Sequence, residues 1–155
     1  MEYNEKNPFR AYVPLPNEVL KTIDDEMSQS ALELYLRGVN YHEKGFCELG
    51  RPNRGEYQGH TEWVQRLMYI DENRVCAKVL KAHYDEKTGH IVADIIPFGP
   101  YRESFNVLCK PENKLAFSVR AMTNAGKLAN ISTFDVVMAD TMPEKRDFVK
   151  EWMRG

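Results

Sequence analysis

The sequence predicts an α+β fold, a small and mostly antiparallel sheet flanked by helices near both ends. Three observations predict it. A hairpin pattern runs from Arg74 to Ile96, a period-two alternation runs from Leu115 to Met122, and apolar residues at helical spacing stand near each end of the chain.

The opening stretch, Asn7-Pro-Phe-Arg-Ala-Tyr-Val-Pro-Leu-Pro16, carries three prolines and is expected to run extended. Asn17 then caps an expected helix whose Val19, Leu20, Ile23 and Met27 share a face. A second helical stretch, Ala31 to Arg37, is expected to end at Gly38 as its C-cap. From Val39 to Glu72 the pattern loosens among several glycines, which reads as loops with one short helix around Thr61 to Met68. Arg74 to Tyr84 reads as a strand, Asp85-Glu-Lys-Thr-Gly89 as a turn and His90 to Ile96 as the return strand, broken by Pro97-Phe-Gly-Pro100. Along Leu115 to Met122, Leu115, Phe117, Val119 and Ala121 face one way, and Ala116, Ser118, Arg120 and Met122 the other. Ile131 to Ala139 is rich in β-formers and reads as a further strand. A terminal helix follows: Thr141-Met-Pro-Glu144 has capping-box spacing, and Phe148, Val149, Trp152 and Met153 form an apolar stripe.

At 155 residues, 43% hydrophobic and 28% charged, the chain suits a single domain over residues 1–155 with a core of its own. Lysines and arginines are scattered and the net charge is −2, so the basic stripe that displaces counterions from phosphates is missing and nucleic acid is not an expected partner. Cys47, Cys76 and Cys109 form no Cys-x-x-Cys unit and stand beside no histidine at metal-ligand spacing. They read as small buried hydrophobes in a reducing compartment, with no metal and no cofactor expected. No apolar run reaches transmembrane length and the first residues lack a signal-peptide core, so no membrane association is expected either.

A serine nucleophile needs a base within hydrogen-bond reach, a group that orients the base, and donors where the oxyanion forms. Ser118 lies on a strand face two residues before Arg120, in Lys114-Leu-Ala-Phe-Ser-Val-Arg-Ala-Met122. That stretch resembles the nucleophile strand of the prohead (capsid-maturation) proteases of tailed bacteriophages, written G-[VI]-S-S-R-[GA]-[LM]. Further blocks agree in order. Asn7-Pro-Phe-Arg10-Ala-Tyr12 is similar to that family's N-x-x-R-x-Y, Cys47-Glu-Leu-Gly-Arg51-Pro52 to G-E-L-G-H-P, and Ile70-Asp-Glu-Asn-Arg-Val-Cys-Ala77 to I-D-x-x-R-V-S-H. Pro97-Phe-Gly99 and Phe134-Asp135-Val-Val resemble its T-P-x-G turn and F-D-L-V strand. The resemblance covers roughly Asn7 to Asp140.

The resemblance implies a bent sheet or barrel of the prohead and herpesvirus assembly protease type. It places Ser118 at the nucleophile position, Arg120 as the holder of the oxyanion and Asp135 at an acidic family position. The base histidine of the family falls on Arg51, which stays protonated and cannot take a proton from Ser118, and a second family histidine falls on Ala77. His60, in the glycine-rich Gly55-Glu-Tyr-Gln-Gly-His60, is the alternative base, ahead of His42, His83 and His90.

The expected function is that of a pseudo-protease serving as a structural or assembly component of a phage capsid or another phage-built shell. The alternative is an active serine endopeptidase that trims scaffold and capsid proteins with a relocated histidine, and a third reading is a small binding or inhibitor module on the same scaffold. Expected partners are other phage proteins (capsid, scaffold or shell) and further copies of the chain, met in the host cytoplasm during infection and in the virion.

Overall fold

The computed structural model describes residues 3–57 and 59–138. The expected terminal helix over Thr141 to Met153 lies outside them. Strand β1 (Phe9–Pro14) is followed by a single helical turn, α1 (Asn17–Leu20), and the long helix α2 (Glu26–His42). Then come β2 (Phe46–Glu48), α3 (His60–Met68), β3 (Val75–Asp85), β4 (His90–Pro97), α4 (Arg102–Leu108), β5 (Leu115–Asn124) and β6 (Lys127–Met138).

The strands form two antiparallel sheets, one of four strands in the order β1-β4-β3-β2 and one made of the β5–β6 hairpin. A parallel bridge between Leu49 and Val136 joins them just past β2, where the Gly50 N–H donates to the Val136 carbonyl at 2.8 Å. At the other side β1 packs beside β5, with Phe9 against Phe117 (centroids 6.1 Å) and Phe117 edge-on to Phe134 (5.7 Å). The strands therefore wrap around a shared core without closing into a barrel, because β1 and β5 touch through side chains and not through a ladder.

Turn chemistry sets both hairpins. Between β3 and β4, the Asp85 carboxylate accepts from the Lys87 N–H (3.0 Å) and the Thr88 hydroxyl (3.1 Å), which holds the tip. Between β5 and β6, Ala125 and Gly126 both take positive φ (53° and 79°), the two-residue geometry whose twist matches the flanking strands. After β4, Gly99 (φ 84°) lies so close to β3 that a Cβ would sit 2.7 Å from the Val75 carbonyl oxygen. The same turn is tied to β3 by Phe98 N–H to Cys76 O and Tyr101 N–H to Val75 O, both 3.0 Å.

The helices depart from the sequence expectation. Asn17 is the first helical residue after Pro16 and makes no side-chain cap; α1 stops after one turn and helix resumes only at Asp25, whose carboxylate accepts from the Met27 N–H at 2.9 Å. Asp25 also pairs with Lys127 at 3.1 Å, and the Gln29 amide donates to the Ile23 carbonyl at 2.6 Å, so the break is held from both sides. Gly38 does not end α2. The helix runs through it to His42, and Glu43 takes the left-handed conformation at the end (φ 51°), with the Lys44 N–H returning to the Gly38 carbonyl. Strand β2 and helix α4 were not expected; each is short, and α4 follows directly on a proline–glycine turn.

On β5 the alternation does not separate core from solvent. Every residue from Phe117 to Ala121 is buried, because the apolar face meets the four-stranded sheet while the other face holds a covered group of charges.

Candidate functional site

Ser118 stands opposite Asp135 across the β5–β6 ladder and Arg120 opposite Thr133, so these four side chains share one face. A buried arginine on a strand must find acceptors, since an isolated charge away from water is prohibitively costly. Arg120, with no exposed surface, donates Nε to Asp135 Oδ2 (3.2 Å) and Nη2 to Asp135 Oδ1 (2.5 Å), and Nη2 also meets Glu48 Oε2 at 3.1 Å. Its Nη1 points to the carbonyls of Tyr69 (3.3 Å) and Arg66 (3.4 Å) at the C-terminal end of α3.

Glu48, the last residue of β2, is the hub. Its carboxylate takes both terminal nitrogens of Arg66, accepts the Asp71 N–H at 2.9 Å, and has the Arg74 Nε at 3.7 Å. Thr133 adds a tie by donating its hydroxyl to the Phe46 carbonyl at 2.6 Å. The group thus joins β2, α3, β5 and β6 at the seam between the two sheets.

The carboxylates respond differently to one enclosure. Burial pushes the Asp135 carboxyl up to about 6 even though Arg120 pulls the other way, and the neighbouring charge of Glu48 adds to the rise. Burial also raises Glu48, but Arg66, Arg120 and the Asp71 N–H outweigh it and leave Glu48 below the usual carboxylate range. Burial works against the Arg120 charge, which its two carboxylates more than restore. The nearby thiols are held protonated: burial raises Cys47 well above its ordinary value and Cys76 to about 12, which makes both poor nucleophiles.

Ser118 is 1% exposed and its Oγ has no hydrogen-bond partner. No histidine is therefore within hydrogen-bond reach of it among the described residues. His60 is the exposed first residue of α3, His42 and His83 are exposed, and His90 opens β4. Nor are donors of Arg120 spare for an oxyanion, because Asp135, Glu48 and two carbonyls engage all three of its nitrogens.

Arg51 follows Gly50 in the loop after β2 and lines a cleft of about 600 Å³ together with Val107, Leu108, Val136 and Val137. Val137, in the same lining, lies two residues beyond Asp135 on the same face of β6. Ala77, the other position where the resemblance places a histidine, is fully buried opposite Cys47 and Pro97. The fold thus gathers Ser118, Arg120 and Asp135 on one face of the β5–β6 hairpin, puts Arg51 in a loop lining the cleft beside α4, and leaves His60 on the surface.

Glu48 and Arg66 were not singled out from the sequence as members of the site. The available signal was Arg120 and Asp135 themselves, charges inside apolar strands that require buried partners. Among the described residues no group of three or more His, Cys, Asp or Glu side chains is placed to hold a metal ion.

A model of the Peptidase S80 family matches residues 37–146, a stretch that contains Glu48, Arg51, Ser118, Arg120 and Asp135. No curated protein and no solved structure gives a match.

Proposed function

The chain belongs to the Peptidase S80 family, which makes it a phage protease-like protein, and we propose that it is a catalytically inactive member that serves as a structural or assembly component of a phage capsid or other phage-built shell. The observation that carries this reading is Ser118: its Oγ is enclosed, has no partner, and faces an Asp135 already committed to Arg120. A serine alcohol without a base is a weak nucleophile at neutral pH. The elements that would deliver chemistry instead lock β2 to the β5–β6 hairpin, a use suited to a scaffold component. Its partners in this reading are other phage proteins, met in the host cytoplasm during infection and retained in the assembled particle.

Two measurements test the proposal. A fluorophosphonate probe should leave the protein unlabelled, and a phage lacking the gene should assemble its shell again when supplied with either the wild type or Ser118→Ala. Labelling that disappears in Ser118→Ala, together with failure of that variant to restore assembly, would establish an active endopeptidase. His60→Ala would then show whether His60 is its base.

A further inference from the structure

Helix α2 is fastened along its inner face. The Ser28 Oγ accepts the Leu128 N–H at 2.9 Å, and the Asn40 side chain exchanges two hydrogen bonds with the backbone of Ala82 (2.8 and 2.9 Å). Leu32, Tyr35 and Val39 are buried on the same side. The outer face carries an apolar stripe. Met27, Leu34 and Tyr41 are 43%, 66% and 79% exposed, and their spacing of seven residues brings them into line. Single exposed hydrophobic residues are ordinary, but three in line on one helix mark a contact surface. Gly38 stands beside the stripe one turn after Leu34, as Ser30 stands one turn before it. A glycine inside a helix weakens it. Among the described residues, a Cβ at Gly38 would meet nothing nearer than the Lys44 side chain at 3.9 Å, so the packing of one chain does not require a glycine there.

We propose that this face is a contact between two copies of the chain, whose α2 helices cross antiparallel at Leu34. The pattern itself chooses a second copy over an unrelated partner. Leu34 is the midpoint of the 17-residue helix, and Met27 and Tyr41 stand at equal distances on either side, so the stripe coincides with its own inverse. A two-fold contact demands that symmetry and a foreign surface does not. The inversion sets the Met27 thioether of one copy against the Tyr41 ring of the other, a favourable pairing. Charge follows the same rule. On one flank of the stripe Glu33 precedes the midpoint and Arg37 follows it, the two being paired at 2.7 Å within the helix. Turning the helix about Leu34 brings Arg37 of one copy within about 3 Å, along the axis, of Glu33 of the other. Parallel helices would instead bring like charges level with each other. Ser30 and Gly38 are small and let the backbones approach closely around the crossing. No residue of the charged group lies on α2, so this contact and the state of Ser118 are independent.

A helix of this length runs about 25 Å, a contact at the lower end of stable interfaces, so monomer and dimer should exchange with concentration. Sedimentation velocity on the full chain should show a dimer whose share grows as the protein is concentrated. Leu34→Lys sets two ammonium groups against each other at the crossing and should leave monomer alone; circular dichroism confirms that this substitution at an exposed position keeps the fold. Direction is read from single cysteines under mild copper–phenanthroline oxidation, with the wild type giving the background from Cys47, Cys76 and Cys109. Leu34→Cys should form a covalent dimer by itself, and Met27→Cys should do so only when mixed with Tyr41→Cys. A wild type that stays monomeric at every concentration overturns the proposal. So does a dimer that Leu34→Lys leaves intact, which would place the contact elsewhere, or cross-linking of Met27→Cys with itself, which would make the helices parallel.

Discussion

Arg120 and Asp135 form a two-point pair with neither side chain exposed, Nε to Oδ2 at 3.2 Å and Nη2 to Oδ1 at 2.5 Å, set diagonally across the β5–β6 ladder. Breaking such a pair from one side is far more damaging than removing both members, because the survivor keeps its desolvation cost without its attraction. Arg120→Leu leaves Asp135 without its guanidinium partner and Glu48 with Arg66 and the Asp71 N–H, and should cost about 3–5 kcal/mol of stability in urea unfolding. Arg120→Leu combined with Asp135→Leu should be less destabilised than Arg120→Leu alone. A double variant at least as unstable as the single one would mean that the pair contributes by packing.

The two carboxylates give stability opposite pH slopes. Asp135 has its folded pKa raised to about 6, above the unfolded value of roughly 3.9, so it opposes folding fully above pH 6 and this penalty is relieved as pH falls toward 4. Glu48 is lowered, so its contribution is present above about pH 4.3 and is lost as pH falls through its folded value. Melting temperature should therefore rise modestly from pH 7 to pH 5 and drop at lower pH. Asp135→Asn should remove the rise and keep the acid-side drop; an unchanged profile in that variant would assign the rise to other groups.

Arg51→His tests the proposal that Ser118 is unreactive for want of a base at the Arg51 position. General-base assistance is worth roughly a hundred- to ten-thousand-fold in rate, ample for detection. Ser118 is enclosed as well as baseless, so labelling of Arg51→His by a fluorophosphonate should stay at background. Labelling that is abolished by adding Ser118→Ala would show that Oγ is reachable and that the base alone was missing.

Sequence reasoning located the strands well where turn chemistry bounded them. The β3–β4 hairpin is expected to within a residue because Asp85 to Gly89 is a self-contained turn, and the start of β5 at Leu115 is legible from its alternation, although the strand runs two residues past Met122 to Asn124. It failed where tertiary contacts decide. Gly38 looks like a stop signal, yet α2 continues through it because its buried face, Leu32, Tyr35 and Val39, spans both sides of the glycine. Strand β2 is three residues long and exists by pairing with β3, which no local pattern announces. The strand motifs singled out Ser118, Arg120 and Asp135, which the structure places on one face of the β5–β6 hairpin. The partnership of Glu48 with Arg120 was not legible, since it joins residues 72 apart in sequence across two sheets.

Burial of both faces of β5 has a consequence for strand register. Hydrophobicity ordinarily fixes register, because a slip of one residue exposes the apolar set to water. Between Phe117 and Ala121 water lies on neither side, so that penalty is absent. A one-residue slip of β5 would instead turn Arg120 toward Phe9 and Phe134, where it meets no carboxylate, and would strand Asp135. The charged group therefore discriminates between alternative pairings of a strand that apolar burial alone would leave ambiguous, and the Arg120→Leu, Asp135→Leu double variant should reveal it as duplicated β5 amide signals in NMR spectra.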